Sequence, residues 1–350
     1  MPILSHDEVK TVAMFSSQPK NKRLTSLKKQ AKMVKLRYDF LDHPYAAQMA
    51  QCSPQLRVRL TTEHIPNGIE VKQSYEGTHW CRVRWCPVCM AAKENKWMAK
   101  FLKAFGSKPR LADDPQFIFM TLTVKNCKLL DLRATVTHMN KAWTKMNLRT
   151  DSPIEGYLRS LEITAQISRD DKTKFYRIDN EIMVHPHFHA ILAVPSNYFE
   201  GWYKNYHSFE KWRAVWKKAL GCDYDPIIYV KRIKPVVTET GNNSMIKAVA
   251  ETFKYCIKPA EFVDFGEDST DYLGGITDQM HNLKAVTVGG YFKKYISQSE
   301  LDKIDETLEF DEAEAQVGEL MVMDWLDDRD RWQYSFPERP PVPKGIIVNY

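Results

Sequence analysis

The sequence lacks long apolar runs, and none approaches the roughly 18 residues that a membrane-crossing helix needs. It also lacks internal repeats, as well as the basic segment and apolar core of a secretory signal peptide. We therefore expect a cytoplasmic protein, whose seven cysteines are reduced thiols or metal ligands rather than disulfides. The 350 residues, 43% hydrophobic and 27% charged, suit a soluble globular chain of two or three domains.

Charge is distributed unevenly along the chain. The net charge is +6, but residues 301–330 carry −10 and residues 1–300 carry +14. A basic body with an acidic end suits a polyanionic partner, of which nucleic acid is the usual one, although ordinary solvated surface explains it as well.

Hydrophobic patterning predicts three regions. They are a basic N-terminal region (1–110), an α/β or α+β domain (111–296) and an acidic, proline-rich C-terminal tail (297–350). Residues 46–80 are predicted to be a looser region. Helices are predicted near 24–41, 88–105, 128–148, 209–220 and 244–257, and strands at 117–124, 157–166, 183–194 and 226–234.

A cysteine knuckle, CRVRWCPVC, contains Cys81, Cys86 and Cys89. Zinc prefers four tetrahedral thiolate or imidazole ligands in structural sites, and three cysteines within nine residues favour such a site over a redox pair or buried apolar thiols. His79 could be the fourth ligand, and so could Cys52 or His64.

A strand pattern, HPHFH, places His185, His187 and His189 on one face, because alternate residues of a strand point the same way. Three imidazoles make a poor apolar core, since each has polar nitrogens that need partners. With Glu162 from the preceding predicted strand, they could hold Mg²⁺ or Mn²⁺ against a phosphate. The same ligands would also suit a zinc hydrolase.

The predicted helix ETFKYCIKP places Glu251 four residues before Tyr255, so that the two side chains are neighbours. Taken alone, this is an ordinary solvated helix. Combined with a metal site, a tyrosine can attack a phosphodiester, a carboxylate can activate water and lysines can contact phosphates. The lysines near this face are Lys247, Lys254 and Lys258.

Four features in order resemble the rolling-circle plasmid replication initiators of the Rep_1 type, within the HUH endonuclease superfamily. They are CRVRWCPVC, FMTLTV, HPHFHAIL after SLEIT, and ETFKYCIKP, and the resemblance covers residues 80–296. The resemblance implies an α+β fold, with a central antiparallel sheet flanked by helices beside a small N-terminal zinc-knuckle and helical region.

The resemblance also implies a function, which is nicking at the plasmid's double-strand origin. Tyr255 would form a 5′-phosphotyrosine link and free a 3′-OH, and Glu251 would activate water in the terminating cleavage. His187 and His189, with Glu162, would bind Mg²⁺ or Mn²⁺. The implied partners are plasmid origin DNA, single-stranded at the nick site, and host helicase and polymerase, with no membrane.

Three alternatives stay open. A transposase or relaxase on the same scaffold would act on another DNA target, although relaxases usually place the tyrosine before the histidine motif, and here it follows His189 by 66 residues. A non-enzymatic, zinc-bearing DNA-binding regulator would leave the histidine strand unexplained. A zinc hydrolase of another substrate would have no need of Tyr255.

Overall fold

The computed structural model describes residues 19–65, 68–106, 113–233, 244–253, 258–307 and 319–335. The helices run α1 (Pro19–Phe40), α2 (Tyr45–Ala50), α3 (Pro87–Gly106), α4 (Leu132–Asn147), α5 (Phe209–Leu220), α6 (Ser244–Thr252), α7 (Gly266–Gln279) and α8 (Gln298–Thr307). None of these helices, within the described ranges, is long and apolar enough to cross a membrane.

The strands run β1 (Gln55–Ile65), β2 (Gly68–Thr78), β3 (Gln116–Thr123), β4 (Cys127–Lys128), β5 (Gly156–Ala165), β6 (Arg177–Ile178), β7 (Glu181–Val194), β8 (Ile228–Ile233), β9 (Val286–Gly290), β10 (Glu319–Leu326) and β11 (Arg331–Ser335). The chain divides into two compact units. The first unit comprises Met1–Leu36, His43–Cys89 and Leu308–Tyr350, and the second comprises Arg37–Asp42 and Met90–Thr307.

The second unit is built on an antiparallel sheet with the strand order β8-β3-β7-β5-β9, to which β4 and β6 add short pairings with β7. One face carries Phe117, Leu158 and Ile191, which pack in a common core with Val249 and Phe253 at the end of α6. This core covers the same side of β7 that carries the histidines, because residues 187, 189 and 191 share a face.

The opposite face of this sheet is covered by α4 and α5. Phe188 points there, and its ring contacts the buried rings of Trp143 from α4 and Trp216 from α5. The Trp216 indole Nε1 also donates a hydrogen bond to the carbonyl oxygen of Thr123 at 2.9 Å, which fixes α5 against β3. The histidine strand is therefore packed on both faces.

Helix α5 shows how local sequence defines an element. The Ser208 side chain accepts a hydrogen bond from the backbone N–H of Lys211 and caps the first turn. Gly221, with a φ of 66°, ends the helix in the left-handed conformation that glycine adopts without strain. The predicted limits of this helix, 209–220, are confirmed.

The first unit contains an antiparallel sheet in the order β11-β10-β1-β2. Its core includes Leu56 and Val58 of β1, Met323 and Trp325 of β10, and Trp332 of β11. Strand β10 lies beside β1 although more than 250 residues separate them in sequence.

The mixed fold with a central antiparallel sheet flanked by helices confirms the predicted class. The sequence analysis was wrong about residues 46–80, which form α2, β1 and β2 rather than a loose region. Residues 297–350 were predicted as a tail, but their described part forms α8, β10 and β11, and the last two are paired in a sheet.

Candidate active site and metal centres

The strand register brings Glu162 to the histidines. In the antiparallel pairing of β5 with β7, Glu162 lies directly opposite His187, and Ser160 lies opposite His189. Cross-strand partners share a face, so the carboxylate and both imidazoles converge. All three side chains are largely buried.

The three ligand groups are close enough to share one ion. Glu162 Oε2 lies 2.9 Å from His189 Nε2 and 3.5 Å from His187 Nε2. Ligand atoms about 2.1 Å from an octahedral ion, at right angles to one another, would be about 3.0 Å apart. The donor set therefore fits a divalent ion, and two imidazoles with one carboxylate leave coordination positions open for a substrate or water.

Hydrogen bonds at Nδ1 orient both imidazoles. His187 Nδ1 lies 3.2 Å from the carbonyl oxygen of His185, and His189 Nδ1 lies 3.1 Å from the Thr121 hydroxyl. Both Nε2 atoms are left to face Glu162. Such outer contacts fix the ring orientation of metal-binding histidines.

Electrostatics favour the ionised form of Glu162. Burial alone raises the pKa of this carboxyl, but hydrogen bonds and charge interactions with His187 and His189 outweigh burial and hold its pKa well below the usual range. The group is therefore ready to act as an anionic ligand.

A proline inside the histidine strand marks a gap in pairing. On one side of β7, the β3 pairing ends at His187 and the β4 pairing begins at Val184, so His185 and Pro186 have no partner there within residues 113–233. Proline has no N–H to donate, and it is tolerated in a strand where the ladder is interrupted. The interruption lies beside the metal ligands.

His185 is separated from the ligand group. Its Nδ1 lies 2.7 Å from Asn126 Oδ1, and its ring stacks on that of His187. Burial, followed by repulsion from His187, lowers the pKa of His185. The same-face prediction is correct, but the structure does not bring this side chain into the metal-binding group.

Helix α6 carries Glu251 and lies on the sheet face that carries the metal ligands, since Val249 and Phe253 pack with Ile191. Glu251 is half-buried, and Lys258 is exposed just beyond the helix. The side chain of Lys247 lies outside the described residues, as do Tyr255 and Lys254, so the placement of Tyr255 stays a prediction.

Glu261 was missed by the sequence analysis. It lies in a buried 3-10 turn (Pro259–Phe262) that follows the tyrosine segment, and its Oε2 accepts a hydrogen bond from the backbone N–H of Ala165 at 3.1 Å. Ala165 is three residues after Glu162 on β5. This contact ties the turn to the metal-binding strand, and a lone glutamate in the sequence gives no signal of it.

In the first unit, Cys52 joins the knuckle. Its Sγ lies 3.5 Å from Cys86 Sγ and 3.6 Å from Cys89 Sγ, and Cys81 Sγ lies 3.6 Å from Cys89 Sγ. All four thiols are free of disulfides. Zn–S bonds of about 2.3 Å at tetrahedral angles place neighbouring sulfurs about 3.8 Å apart, so the cluster fits one tetrahedral ion.

The predicted ligand His79 is not part of this cluster. Its Nδ1 lies 2.7 Å from the carbonyl oxygen of Gln51, and the ring is exposed. Cys52, which was only an alternative, takes the fourth position because α2 and the start of β1 bring it back to the knuckle. The side chain of His64, the other alternative, lies outside the described residues.

A buried lysine accompanies the cysteines. Lys28 of α1 donates a hydrogen bond from Nζ to the carbonyl oxygen of Cys52 at 2.6 Å, and its ammonium lies 5.4 Å from the centre of the Trp325 ring. Burial lowers the pKa of Lys28, and the nearby cysteines oppose this effect. Buried ammonium groups need nearby negative charge, and four thiolates would supply it.

Comparison with known proteins identifies the class. The family model for replication proteins, Rep_1, matches residues 72–334, which include the three knuckle cysteines and the histidine site, whereas Cys52 lies before the matched range. The chain belongs to the Rep_1 replication protein family, which supports the role of a plasmid replication initiator and confirms the resemblance found in the sequence.

Curated relatives agree with this assignment. A "Protein rep" of Bacillus amyloliquefaciens is 26% identical over 324 residues, covering 86% of each chain. The Lactiplantibacillus plantarum protein of that name is 25% identical over 269 residues, 76% of this chain and 78% of the relative. One from Streptococcus pneumoniae serotype 2 is 25% identical over 229 residues, and the match covers 65% of each chain. No solved structure matches the chain significantly.

Proposed function

We propose that this protein initiates rolling-circle replication of a plasmid by nicking its double-strand origin, with the chemistry of the HUH endonucleases. The observation that carries the proposal is the Glu162–His187–His189 group in a Rep_1 chain, on the sheet face covered by the helix of Glu251. Oxygen and nitrogen ligands with open positions suit phosphoryl transfer better than a structural role.

In the first step, the phenolic oxygen of Tyr255 attacks the scissile phosphorus. The new bond joins the tyrosine to the 5′ phosphate, the bond from phosphorus to the 3′ oxygen breaks, and that oxygen leaves as a 3′-OH after taking up a proton. The 3′-OH is the primer for a host polymerase.

Mg²⁺ or Mn²⁺ held by Glu162, His187 and His189 would polarise the scissile phosphate and offset the charge that develops on its oxygens. Lys258, together with Lys247 and Lys254, contacts phosphates of the bound strand. His185 supports His187 through its backbone carbonyl and its stacked ring.

Glu251 acts at termination. Its carboxylate takes a proton from water, whose oxygen attacks the scissile phosphorus of the regenerated origin, and the bond from phosphorus to the 3′ oxygen breaks as that oxygen takes up a proton and leaves as a 3′-OH. This 3′-OH then attacks the 5′ phosphotyrosine, so that the DNA circle is closed and the phenol of Tyr255 is released. A second tyrosine is then unnecessary, and the enzyme is released from DNA. The partners of the reaction are plasmid origin DNA, single-stranded at the nick, and the host helicase and polymerase in the bacterial cytoplasm.

The four-cysteine cluster holds a structural zinc ion in this proposal. Four thiolates fill a tetrahedral shell and leave no position for substrate, which is the pattern of structural zinc. Its task is to hold the first unit together, where α2, the start of β1 and the knuckle meet.

The test is a nicking assay on supercoiled plasmid that carries the replicon's own origin, with Mn²⁺ present. Wild-type protein should yield nicked circles and a covalent protein–DNA adduct, and Tyr255→Phe should yield neither. Tyr206→Phe, at an exposed tyrosine of the same unit, is the matched control and should nick normally. Unchanged nicking by Tyr255→Phe, or no nicking by wild type, would refute the mechanism.

The role of Glu251 needs a separate assay, since it acts late. Glu251→Ala should nick supercoiled origin DNA at nearly the wild-type rate but accumulate adduct and multimeric single strands instead of released circles. Termination at the wild-type rate would remove Glu251 from the reaction.

A further inference from the structure

Among the described residues, the sheet beside the histidine site ends in strand β8, and two exposed side chains of this strand lie on the face of the metal ligands. Tyr229 of β8 is paired with Thr121 of β3, and Thr121 is paired with His189 of β7. Residues in one cross-strand row share a face, so Tyr229 is on the side of His189. Lys231, two residues along, shares that face.

Aromatic contacts connect Tyr229 to the site. The ring of Phe119 stacks on the His189 imidazole with a centroid distance of 5.7 Å and an angle of 20°. Tyr229 meets Phe119 edge to face at 6.4 Å and keeps 51% of its surface exposed. With strands about 4.8 Å apart, Tyr229 lies about 10 Å across the sheet from His189.

Scattered exposed aromatic residues are ordinary on protein surfaces and need no explanation. Here the aromatic ring is next to a lysine, on an edge strand, in the same row as a candidate metal ligand. Neither Tyr229 nor Lys231 has a hydrogen bond or ion pair to another side chain within the described part of the chain. Both groups are thus available to a ligand that enters the metal site across this edge.

We propose that Tyr229 and Lys231 form a binding surface for the single DNA strand that enters the histidine site. Tyr229 stacks on an unpaired base near the scissile phosphate, and Lys231 binds a phosphate of the same strand. The proposal rests on the proposed nicking function and adds the residues that hold its substrate.

The chemistry favours a single strand over a duplex. Bases in a duplex are stacked on one another, so an edge-strand tyrosine can stack only on a base that is unpaired. Aromatic rings beside basic groups are the usual platform for single strands, and they bind with little dependence on sequence. A partner protein could instead add a strand to the edge of β8, which is unpaired within the described ranges, and that backbone pairing would not need the Tyr229 ring.

The binding test uses a fluorescein-labelled, mixed-sequence single-stranded oligonucleotide and the matching duplex, followed by anisotropy on the full chain. Tyr229→Ala should weaken single-strand binding about tenfold, the size expected when one base loses a stacking partner, and Tyr229→Phe should bind within twofold of wild type. Duplex binding should change less than twofold. Lys231→Gln should reduce the slope of log affinity against log salt by about 0.7.

The control is Trp202→Ala, because Trp202 is another exposed aromatic residue of the same unit, 67% exposed in the loop between β7 and α5. It should leave single-strand binding unchanged. If Tyr229→Ala bound the single strand as tightly as wild type, the proposal would be overturned. It would also be overturned if Tyr229→Ala lost as much affinity for the duplex as for the single strand.

A nicking assay separates this proposal from the proposed function. On an origin oligonucleotide, Tyr229→Ala should raise KM about tenfold and leave kcat within about threefold of wild type. If wild type does not nick, the proposed function fails, whatever the binding data show. If wild type nicks and Tyr229→Ala nicks with an unchanged KM, only the Tyr229 surface is refuted.

Discussion

The cysteine cluster of the first unit and the histidine site of the second differ in the way they could hold a metal. Four soft thiols fill a closed tetrahedral shell around one position, whereas two imidazoles and a carboxylate form an open group of harder ligands. Their neighbours also differ, because a buried lysine accompanies the cysteines and a buried carboxyl supports the strand of the histidine site. Closed sites suit structure, and open ones suit chemistry.

The largest effect should come from breaking one site while keeping the other. Cys89→Ser should remove zinc and unfold the first unit, since binding of a structural zinc contributes about 10 kcal/mol or more to folding. His189→Ala should retain zinc and fold but lose Mn²⁺ binding. Elemental analysis and thermal unfolding would test both variants. Zinc lost from His189→Ala and kept by Cys89→Ser would reverse the assignment.

The buried carboxyl beside the histidine site should make stability depend on pH. Burial raises the pKa of Glu261 to about 7, although the Ala165 amide opposes this effect. The folded protein then binds a proton more tightly than the unfolded chain, so this contribution to stability is complete below about pH 4.5 and is lost as pH rises through about 7.

Glu261→Gln removes that dependence, because the amide cannot ionise. Relative to the variant, wild type should lose about 3 kcal/mol of unfolding free energy between pH 4.5 and pH 8. Urea unfolding of both proteins at several pH values measures the difference, in which the contributions of other groups cancel. If the unfolding free energies of the two proteins changed equally with pH, Glu261 would not have the raised pKa.

The buried lysine beside the cysteines should matter less than the cysteines themselves. Lys28→Met removes a charged hydrogen bond to the Cys52 carbonyl, which is worth about 2 kcal/mol, and the positive charge beside the thiolates. We expect faster zinc release to a chelator and lower stability. Lys32→Met is the control on the same helix, because the Lys32–Asp330 ion pair is exposed and contributes under about 1 kcal/mol. Equal effects of the two variants would contradict a special role for Lys28.

The smallest effect concerns a contact at the histidine site. Thr121→Val removes the hydroxyl beside His189 Nδ1 and should weaken Mn²⁺ binding about 10- to 100-fold without changing zinc content. Thr123→Val is the control on the same face of β3, since its hydroxyl donates to the Ile227 carbonyl instead of a ligand. Calorimetric titration with Mn²⁺ measures both, and identical affinities for the two variants would exclude the Thr121 contact as a determinant.

The sequence was informative where a single element carries the pattern. Alternation in HPHFH placed three histidines on one face because a strand repeats every two residues, and α5 could be delimited because its caps are local. It failed for β1 and β2, because β1 pairs with β2 on one side and with the distant β10 on the other, and no local pattern indicates those partners.

By itself, then, the sequence determined the metal-binding strand, the three knuckle cysteines and the Rep_1 resemblance, because each depends on spacing within a short segment. Tertiary structure decided which groups meet. The pairing register of β5 and β7 places Glu162 opposite His187. The fold around α2 brings Cys52 rather than His79 to the cysteine cluster, and His185 contacts Asn126 and stays outside the metal-binding group. These placements depend on long-range packing, because residues that are distant in sequence must come together in the folded chain.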